Sequence, residues 1–139
     1  MNKVIYSSIS KKGNTRKLAE AVAAALQVPA EDIKNDPEIA AVDTLFIGTG
    51  VYAGHIDASL KEFLQKLDAT QVKQVAVFSS SFRGNSPLEE IKHILGEKGI
   101  SVLDDTFSCK ASFLFMGKGK PTAEDIATLQ AFAKRVAGI

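Results

Sequence analysis

Residues 4–26 read VIYSSISKKGNTRKLAEAVAAAL, an apolar run followed by a polar loop and a segment of helical periodicity. The run Val4-Ile5-Tyr6 is apolar at consecutive positions and contains β-branched and aromatic side chains, which is typical of a strand buried on both faces. In the periodic segment, the apolar residues that share one helix face are Leu18, Val22, Ala25 and Leu26. A strand, a loop and a helix in this order predict the first unit of a parallel sheet, because the helix returns the chain to the start of a neighbouring strand.

The same alternation continues to the end of the chain. Further strands are predicted at Thr44–Ile47, at Val75–Phe78 and around Ile100–Leu103. Further helices are predicted where apolar residues recur with helical spacing: Leu60, Phe63, Leu64 and Leu67; Leu88, Ile91 and Leu95; and Ile126, Leu129, Ala133 and Val136. The last helix starts with Thr122 and Asp125 at the spacing of a capping box.

The second and fifth strands are less sharply marked by the pattern. For the second, we expect a short strand near Asp32–Lys34, followed by about one helical turn over Pro37–Ala41. The fifth has two candidates, Ile100–Leu103 and Phe113–Met116. The alternation as a whole predicts one α/β domain over residues 1–139, with a mainly parallel sheet covered by helices on both faces.

Composition restricts the function further. Lys and Arg number 17 and Asp and Glu number 16, so the formal net charge is +1, which argues against a dedicated binder of nucleic acid or of a membrane surface. The single cysteine excludes an intramolecular disulfide framework. The N-terminal apolar run is too short for the core of a signal peptide, and no run approaches a membrane span. We therefore expect a soluble, cytoplasmic domain with no nucleic-acid partner and no membrane insertion.

Three loops rich in small and polar residues follow the first, third and fourth predicted strands, at residues 7–15, 48–57 and 79–85. The carboxyl ends of parallel strands meet at one edge of a sheet, which is where doubly wound sheets bind ligands. The first loop offers hydroxyls, a glycine and the opening N–H groups of a helix, all of which suit a phosphate. The second has glycines that let a flat ligand approach the backbone, with Tyr52 as a stacking face, and the third offers Phe82 as another aromatic wall.

The first and second loops also have simpler interpretations. The first could be an ordinary strand-to-helix turn in which Asn14 or Thr15 only caps the helix. The second could be a surface turn with Tyr52 exposed. Neither the P-loop spacing nor the Gly-x-Gly-x-x-Gly fingerprint is present in the sequence. The expected convergence of the three loops at one edge is what favours a ligand site.

At these positions the chain resembles the short flavodoxin-like proteins of the flavodoxin family, over nearly its whole length. The stretch 10–15, SKKGNT, resembles the family's Ser/Thr-x-Thr-Gly-Asn-Thr phosphate loop, with Lys12 in place of the middle threonine. Gly48–Gly54 is similar to the isoalloxazine loop of these proteins and also to that of flavodoxin-like protoporphyrinogen oxidases, whose long insertion this chain lacks. The end of the chain resembles the family's last strand and final helix at Phe107–Lys110, Gly119–Pro121 and Glu124-Asp125.

The resemblance implies a flavodoxin-like three-layer sandwich with a five-stranded parallel sheet in the order 2-1-3-4-5. It also implies FMN at the point where the strand order reverses, a rule for which flavodoxins are themselves the standard example. The phosphate would contact Ser8 or Ser10, which both remain candidates for the head of the loop, together with Lys12, Gly13, Asn14 and Thr15. Around the ring, the implied residues are Thr49, Gly50, Val51, Tyr52, Ala53, Gly54, Ser79, Ser80, Ser81, Phe82, Arg83 and Gly84.

The chain departs from the family in its charge and in its aromatic residues. Typical flavodoxins are strongly acidic, whereas this chain is near neutral and has Lys11, Lys12 and Arg16 around the phosphate loop. These cations should strengthen phosphate binding and make it sensitive to salt. Since the chain has no tryptophan, Tyr52 is the expected stacking residue.

Single residues add little further chemistry. Cys109 lies in an apolar context, so we interpret it as inert, and we interpret His55 as an exposed loop residue. His93 is expected to be solvated on its helix, and Asp104-Asp105 to end a strand. No His, Cys, Asp and Glu residues have metal-ligand spacing, so we assign neither a metal site nor a catalytic side chain.

The leading hypothesis is an FMN-binding electron carrier that shuttles electrons between redox partner proteins, as a monomer or weak dimer. The first alternative is a small flavin-dependent quinone or porphyrinogen oxidoreductase, which would be an enzyme in its own right. The second is a module that kept the fold but binds another phosphate ligand or a protein, because fold alone does not establish function. We expect a carrier rather than a turnover enzyme.

Overall fold

The computed structural model describes residues 1–7, 14–51, 55–81, 86–110 and 122–139, apart from the side chains of residues 81 and 110. Its strands are β1 (Asn2–Tyr6), β2 (Ala30–Asp32), β3 (Val42–Gly50), β4 (Val72–Ser81), β5 (Ser101–Val102) and β6 (Phe107–Lys110). Its α-helices are α1 (Asn14–Leu26), α2 (Ala58–Gln65), α3 (Leu88–Gly96) and α4 (Ala123–Ala137), and a short 3-10 helix spans Ile33–Asn35.

The strands form one parallel sheet in the order β2-β1-β3-β4-β5, which confirms the predicted order 2-1-3-4-5. The strand order reverses at β1, because β2 lies on one side of it and β3 on the other. The carboxyl ends of β1 and β3 therefore flank the switch point, where the predicted ligand site belongs.

Two short strands share the fifth position of the sheet. β5 pairs with Gln74 and Val75 near the start of β4, and β6 pairs with Phe78–Ser81 at its end. Between them the chain leaves the ladder, and the Thr106 hydroxyl donates to the Val77 carbonyl oxygen at 2.6 Å. Of the two predicted candidates, the run near residue 101 is confirmed in part, whereas Phe113–Met116 lies outside the described residues.

Helices cover the sheet on both faces and so make the three predicted layers. Odd-numbered β1 residues such as Ile5 face one core, which α2 and α3 close with Leu60 and Leu95. Val4 faces the other core, which α1 and α4 close. In that second core the ring of Phe132 meets Phe46 edge-on, with centroids 6.4 Å apart. Burial on both faces explains why the central strands read as continuous apolar runs.

The prediction for the second strand was wrong in its position. β2 ends at Asp32, and the helical turn follows at once over Ile33–Asn35 instead of at Pro37–Ala41. The Asp32 carboxylate accepts the Lys34 N–H at 2.9 Å and thereby starts the turn. Asp36 ends it with a φ of +48°, a left-handed conformation that stops a helix.

Most of the apolar residues that were predicted to share a helix face are buried against the sheet. Leu18, Val22 and Leu26 are buried on α1, whereas Ala25 is only half-buried. The capping box of α4 is present, with Thr122 and Asp125 each accepting the other's backbone N–H. None of the helices that the structure describes is long and apolar enough to cross a bilayer.

Candidate functional site

The third and fourth strands extend three residues beyond their apolar runs, into the predicted loops. Thr49 and Gly50 belong to β3, and they pair with Ser79 and Ser80 of β4. The predicted loop bounds were therefore wrong at these two places. Glycine has a low strand propensity, but the ladder between two long central strands holds Gly48 and Gly50 in β3.

Gly48 packs within the sheet and does not belong to the loop that follows it. A Cβ on Gly48 would lie 2.4 Å from the ring of Phe78, which is fully buried. The Gly48 carbonyl oxygen accepts the Ser7 N–H at 2.9 Å. The absent side chain thus makes room for an aromatic ring of the core, and no ligand is needed to explain this glycine.

The first loop ends in two buried polar residues at the start of α1. Asn14 is 6% exposed and Thr15 is 4% exposed, and the Thr15 hydroxyl lies 3.4 Å from the Ser80 hydroxyl. The first turn of α1 contains no acidic residue, so its N–H groups and its dipole face the edge without a carboxylate to neutralise them. This is the environment that an anion prefers. Ser8, Ser10, Lys12 and Gly13 lie outside the described residues.

A buried hydrogen bond joins the first loop to the second, and the sequence pattern did not reveal it. The Ser7 hydroxyl donates to Oδ2 of Asp57, and both side chains are buried. The other carboxylate oxygen of Asp57 accepts the Leu60 N–H at 2.9 Å and caps α2. The two partners are 50 residues apart in sequence, so only the capping role of Asp57 has a local signal.

The second loop is held at both of its described ends. Val51 donates its N–H to the Ser80 carbonyl oxygen at 3.1 Å. Ile56 donates its N–H to Oε1 of Glu90, in the first turn of α3, at 2.9 Å. Tyr52, Ala53 and Gly54, between these anchors, lie outside the described residues. Sequence reasoning missed Glu90 because its partner is 34 residues away.

Hydroxyl groups at the start of the second and third loops have partners within the protein. The Thr49 hydroxyl donates to the Gly50 carbonyl oxygen at 2.8 Å. The Ser79 and Ser108 hydroxyls lie 2.9 Å apart, across the β4–β6 pair. Thr49 and Ser79 are fully buried, so their hydroxyls do not face solvent. The Ser81 side chain and residues Phe82, Arg83 and Gly84 are not among those described.

Two titratable side chains flank the first loop, Tyr6 before it and Arg16 after it. Arg16 pairs with Glu20 at 3.0 Å on the exposed side of α1, and this hydrogen bond raises the pKa of Arg16 above its ordinary value. The pKa of Tyr6 is also raised, chiefly because burial disfavours the phenolate and secondly because the Asp32 carboxylate lies nearby. The phenol of Tyr6 therefore stays neutral at physiological pH and adds no negative charge at this edge.

The other singled-out residues have ordinary surroundings. Cys109 is buried in β6, and His93 is exposed beside Glu97 at 3.6 Å, both as expected. His55 is exposed as well, 3.9 Å from Glu90. Asp104 and Asp105 follow β5 and pair with Lys92 and Arg135. Within the described ranges, no three His, Cys, Asp or Glu side chains are grouped as metal ligands would be.

The hydrogen bonds join all three loops into one network at the carboxyl edge. Ser7 reaches the second loop at Asp57, Thr15 reaches the third at Ser80, and Val51 joins the second loop to the third at the same Ser80. The network surrounds the ends of β1, β3 and β4, next to the switch point. It can hold an anion at the start of α1 and a flat group against the backbone of β3 and β4.

Comparisons with known proteins agree with this architecture. The sequence model of the flavodoxin domain matches residues 3–118. An uncharacterized protein of Methanocaldococcus jannaschii is 30% identical over 146 residues, covering 96% of this chain and 95% of that protein. A flavodoxin from the domain Archaea superposes with a TM-score of 0.80 at 20% identity, over 99% of this chain and 97% of that one. A short-chain flavodoxin associated with a non-canonical PDU bacterial microcompartment gives a TM-score of 0.74 at 18% identity, over the same shares of the two chains.

Proposed function

This chain belongs to the flavodoxin domain family, and on that premise we propose that it binds FMN and carries electrons between redox partner proteins in the cytoplasm. The family implies a flavin cofactor, and the observation that supports FMN is the start of α1. There, Asn14 and Thr15 are buried, and the Thr15 hydroxyl lies 3.4 Å from the Ser80 hydroxyl, at the edge next to the switch point. A flavin with a phosphate needs both an anion site and a flat site, and we assign both to this edge.

The phosphate site of the proposal lies at the amino end of α1. The N–H groups of the first helical turn would donate to the phosphate oxygens, and the helix dipole would favour the negative charge. Asn14 and Thr15 would add side-chain donors, with Ser8 or Ser10, Lys12 and Gly13 completing the loop. Arg16, which pairs with Glu20, lies one position beyond Thr15. The cations of this region make the proposed binding weaker in high salt.

The ring site of the proposal lies against the ends of β3 and β4. Bound FMN would supply one- and two-electron transfer, while the protein sets its orientation and its surroundings. Backbone groups of Thr49, Gly50 and Val51 would face one edge of the ring. Tyr52, Ala53 and Gly54 would lie on one side, and Ser79–Gly84 on the other. The network that joins Val51 to Ser80 would keep the two sides at a constant separation.

The first test measures whether the purified protein retains a flavin and how tightly it binds one. We expect a flavin absorption spectrum after FMN is added and the excess removed, and quenching of FMN fluorescence on titration. Asn14→Ala and Thr15→Ala should each raise the Kd for FMN by about tenfold or more, since a hydrogen bond to a charged group contributes about 1.5–3 kcal/mol.

Thr128→Ala is the matched control for these variants. Thr128 is exposed in the middle of α4, so the same chemical change should leave the Kd unaltered. An unchanged Kd in Asn14→Ala and Thr15→Ala would refute the phosphate assignment. A wild-type protein that neither retains nor quenches FMN would refute the proposed function itself. Turnover of a quinone without any protein partner would indicate an enzyme in place of a carrier.

A further inference from the structure

Glu90 makes an unusual contact for a carboxylate in the first turn of a helix. Its side chain is 24% exposed, and its Oε1 atom accepts the backbone N–H of Ile56 at 2.9 Å. The same carboxylate lies 3.9 Å from Nδ1 of His55 and 3.7 Å from Nζ of Lys61. An acidic residue at this position needs only to face solvent to interact with the helix dipole, as its exposed neighbour Glu89 does. Glu90 in addition holds a backbone group of another loop.

The contact with Ile56 completes the anchoring of the second loop. Ile56 is buried and lies before α2, so its N–H has no ladder or helix partner and takes the carboxylate instead. A hydrogen bond to a charged acceptor is stronger than one between neutral groups. Val51, at the other end, is held by the Ser80 carbonyl oxygen. Both ends of residues 52–54 are therefore tied to the part of the chain around the third loop, one to β4 and the other to α3.

We propose that Glu90 is a positioning residue for the flavin ring. Its carboxylate holds Ile56, and through Ile56 it sets where the second loop lies relative to α3, the helix that follows the third loop. This inference rests on the proposed function, in which the second and third loops lie on the two sides of the ring. The position of the acceptor atom matters more than the negative charge, because the His55 and Lys61 side chains beside the carboxylate are both at least half exposed.

Three substitutions separate the acceptor from its charge and its reach. Glu90→Ala removes the acceptor, Glu90→Gln keeps a carbonyl oxygen at the same reach without the charge, and Glu90→Asp keeps the charge but withdraws it by one methylene. We expect Glu90→Ala and Glu90→Asp to raise the Kd for FMN by about tenfold, because FMN binding would then have to order a loop that the wild-type protein already holds in place. Glu90→Gln keeps a neutral and weaker acceptor, so its Kd should lie between the wild-type value and that of Glu90→Ala. Glu89→Ala, in the same helical turn, is the control and should bind as the wild type does.

Riboflavin has the same ring as FMN but no phosphate. Comparing the Kd values of the two flavins therefore shows whether a variant weakens the ring site or the phosphate site. Glu90→Ala should weaken riboflavin and FMN binding by the same factor, whereas Thr15→Ala should weaken FMN binding alone. A wild-type Kd in Glu90→Ala, or an equal loss in Glu90→Gln and Glu90→Ala, would overturn the inference. If Glu90→Ala does not fold, the Kd values of Glu90→Asp and Glu90→Gln test the inference: weaker FMN binding by Glu90→Asp than by Glu90→Gln supports it, and equal Kd values contradict it. A wild-type protein that binds neither flavin contradicts the proposed function, and that result is distinct from a variant that binds as well as the wild type.

Discussion

Gly48 and Phe78 show at the scale of single residues why glycines near a ligand site are ambiguous in a sequence. The glycine density of the second loop suggests close approach to a flat ligand, yet Gly48 lies inside β3 and faces the buried ring of Phe78. By contrast, Asn14 and Thr15 are predicted at the site and do lie buried at the start of α1. A local motif predicts that Asn14 and Thr15 start a helix, but it specifies neither the contact of Thr15 with Ser80, 65 residues away, nor the contact of Gly48 with Phe78.

Gly48→Ala should destabilise the fold. The added methyl group would lie 2.4 Å from the Phe78 ring, which is enclosed and has no free space to move into. Overpacking of this kind costs about 1–3 kcal/mol, and thermal or denaturant unfolding of the variant measures it.

Gly96→Ala is the matched control, because nothing lies within 4 Å of a Cβ at that position. This substitution should leave the free energy of unfolding unchanged or raise it slightly, since alanine has a higher helix propensity than glycine. Gly48→Ala combined with Phe78→Leu should recover part of the loss. If Gly48→Ala and the wild type have the same free energy of unfolding, the Phe78 ring can shift without destabilising the fold, which would contradict the prediction.

At the scale of secondary-structure elements, α4 is the element whose start the sequence marks most clearly. The Thr122 hydroxyl accepts the Asp125 N–H at 3.1 Å, and the Asp125 carboxylate accepts the Thr122 N–H at 2.9 Å. These contacts are local, so a spacing of three residues predicts them. β2 lacks such a signal, because a three-residue strand is defined by its pairing with β1 and not by its own residues.

Thr122→Ala should lower the free energy of unfolding by about 1 kcal/mol, the usual cost of removing an N-cap side chain. The loss arises because the N–H of Asp125 would no longer have its acceptor. Urea unfolding of the variant beside Thr128→Ala, an exposed change within the same helix, measures it. Equal destabilisation of the two variants would contradict the capping role.

At the scale of the whole molecule, contacts between distant segments fix the layers against one another. Arg135, near the end of α4, donates two hydrogen bonds to Asp105, in the connection between β5 and β6, at 2.9 and 3.0 Å. These bonds lower the pKa of the Asp105 carboxyl below its ordinary value. The pair therefore links the last helix to the split edge of the sheet.

The pair between Asp105 and Arg135 should make the folded protein less stable as the pH falls into the acidic range. The lowered pKa means that the folded protein binds this proton less tightly than the unfolded chain does. The stabilisation is complete above the ordinary aspartate pKa of about 3.9, and it is lost as the pH falls through the folded-state value. Asp105→Asn should therefore lower the Tm at pH 7, and the difference from the wild type should close as the pH falls below about 4.

Glu62→Gln, an exposed neutralisation on α2, serves as the control and should show no such convergence. A constant Tm difference between Asp105→Asn and the wild type from pH 7 to pH 3 would contradict the assignment.

The sequence by itself determined the α/β class, the strand order implied by its family resemblance, and the faces of the helices. The class and the helix faces follow from periodicity and from motifs whose partners lie within a few residues, whereas the strand order was implied only by the resemblance. Only the tertiary structure decided that β5 and β6 share one position, that Gly48 makes room for Phe78, and that Asp57 and Glu90 tie the loops together. The physical reason is sequence separation: the partners of these residues lie about 30 to 50 positions away, and no local pattern specifies which distant atoms a fold brings into contact.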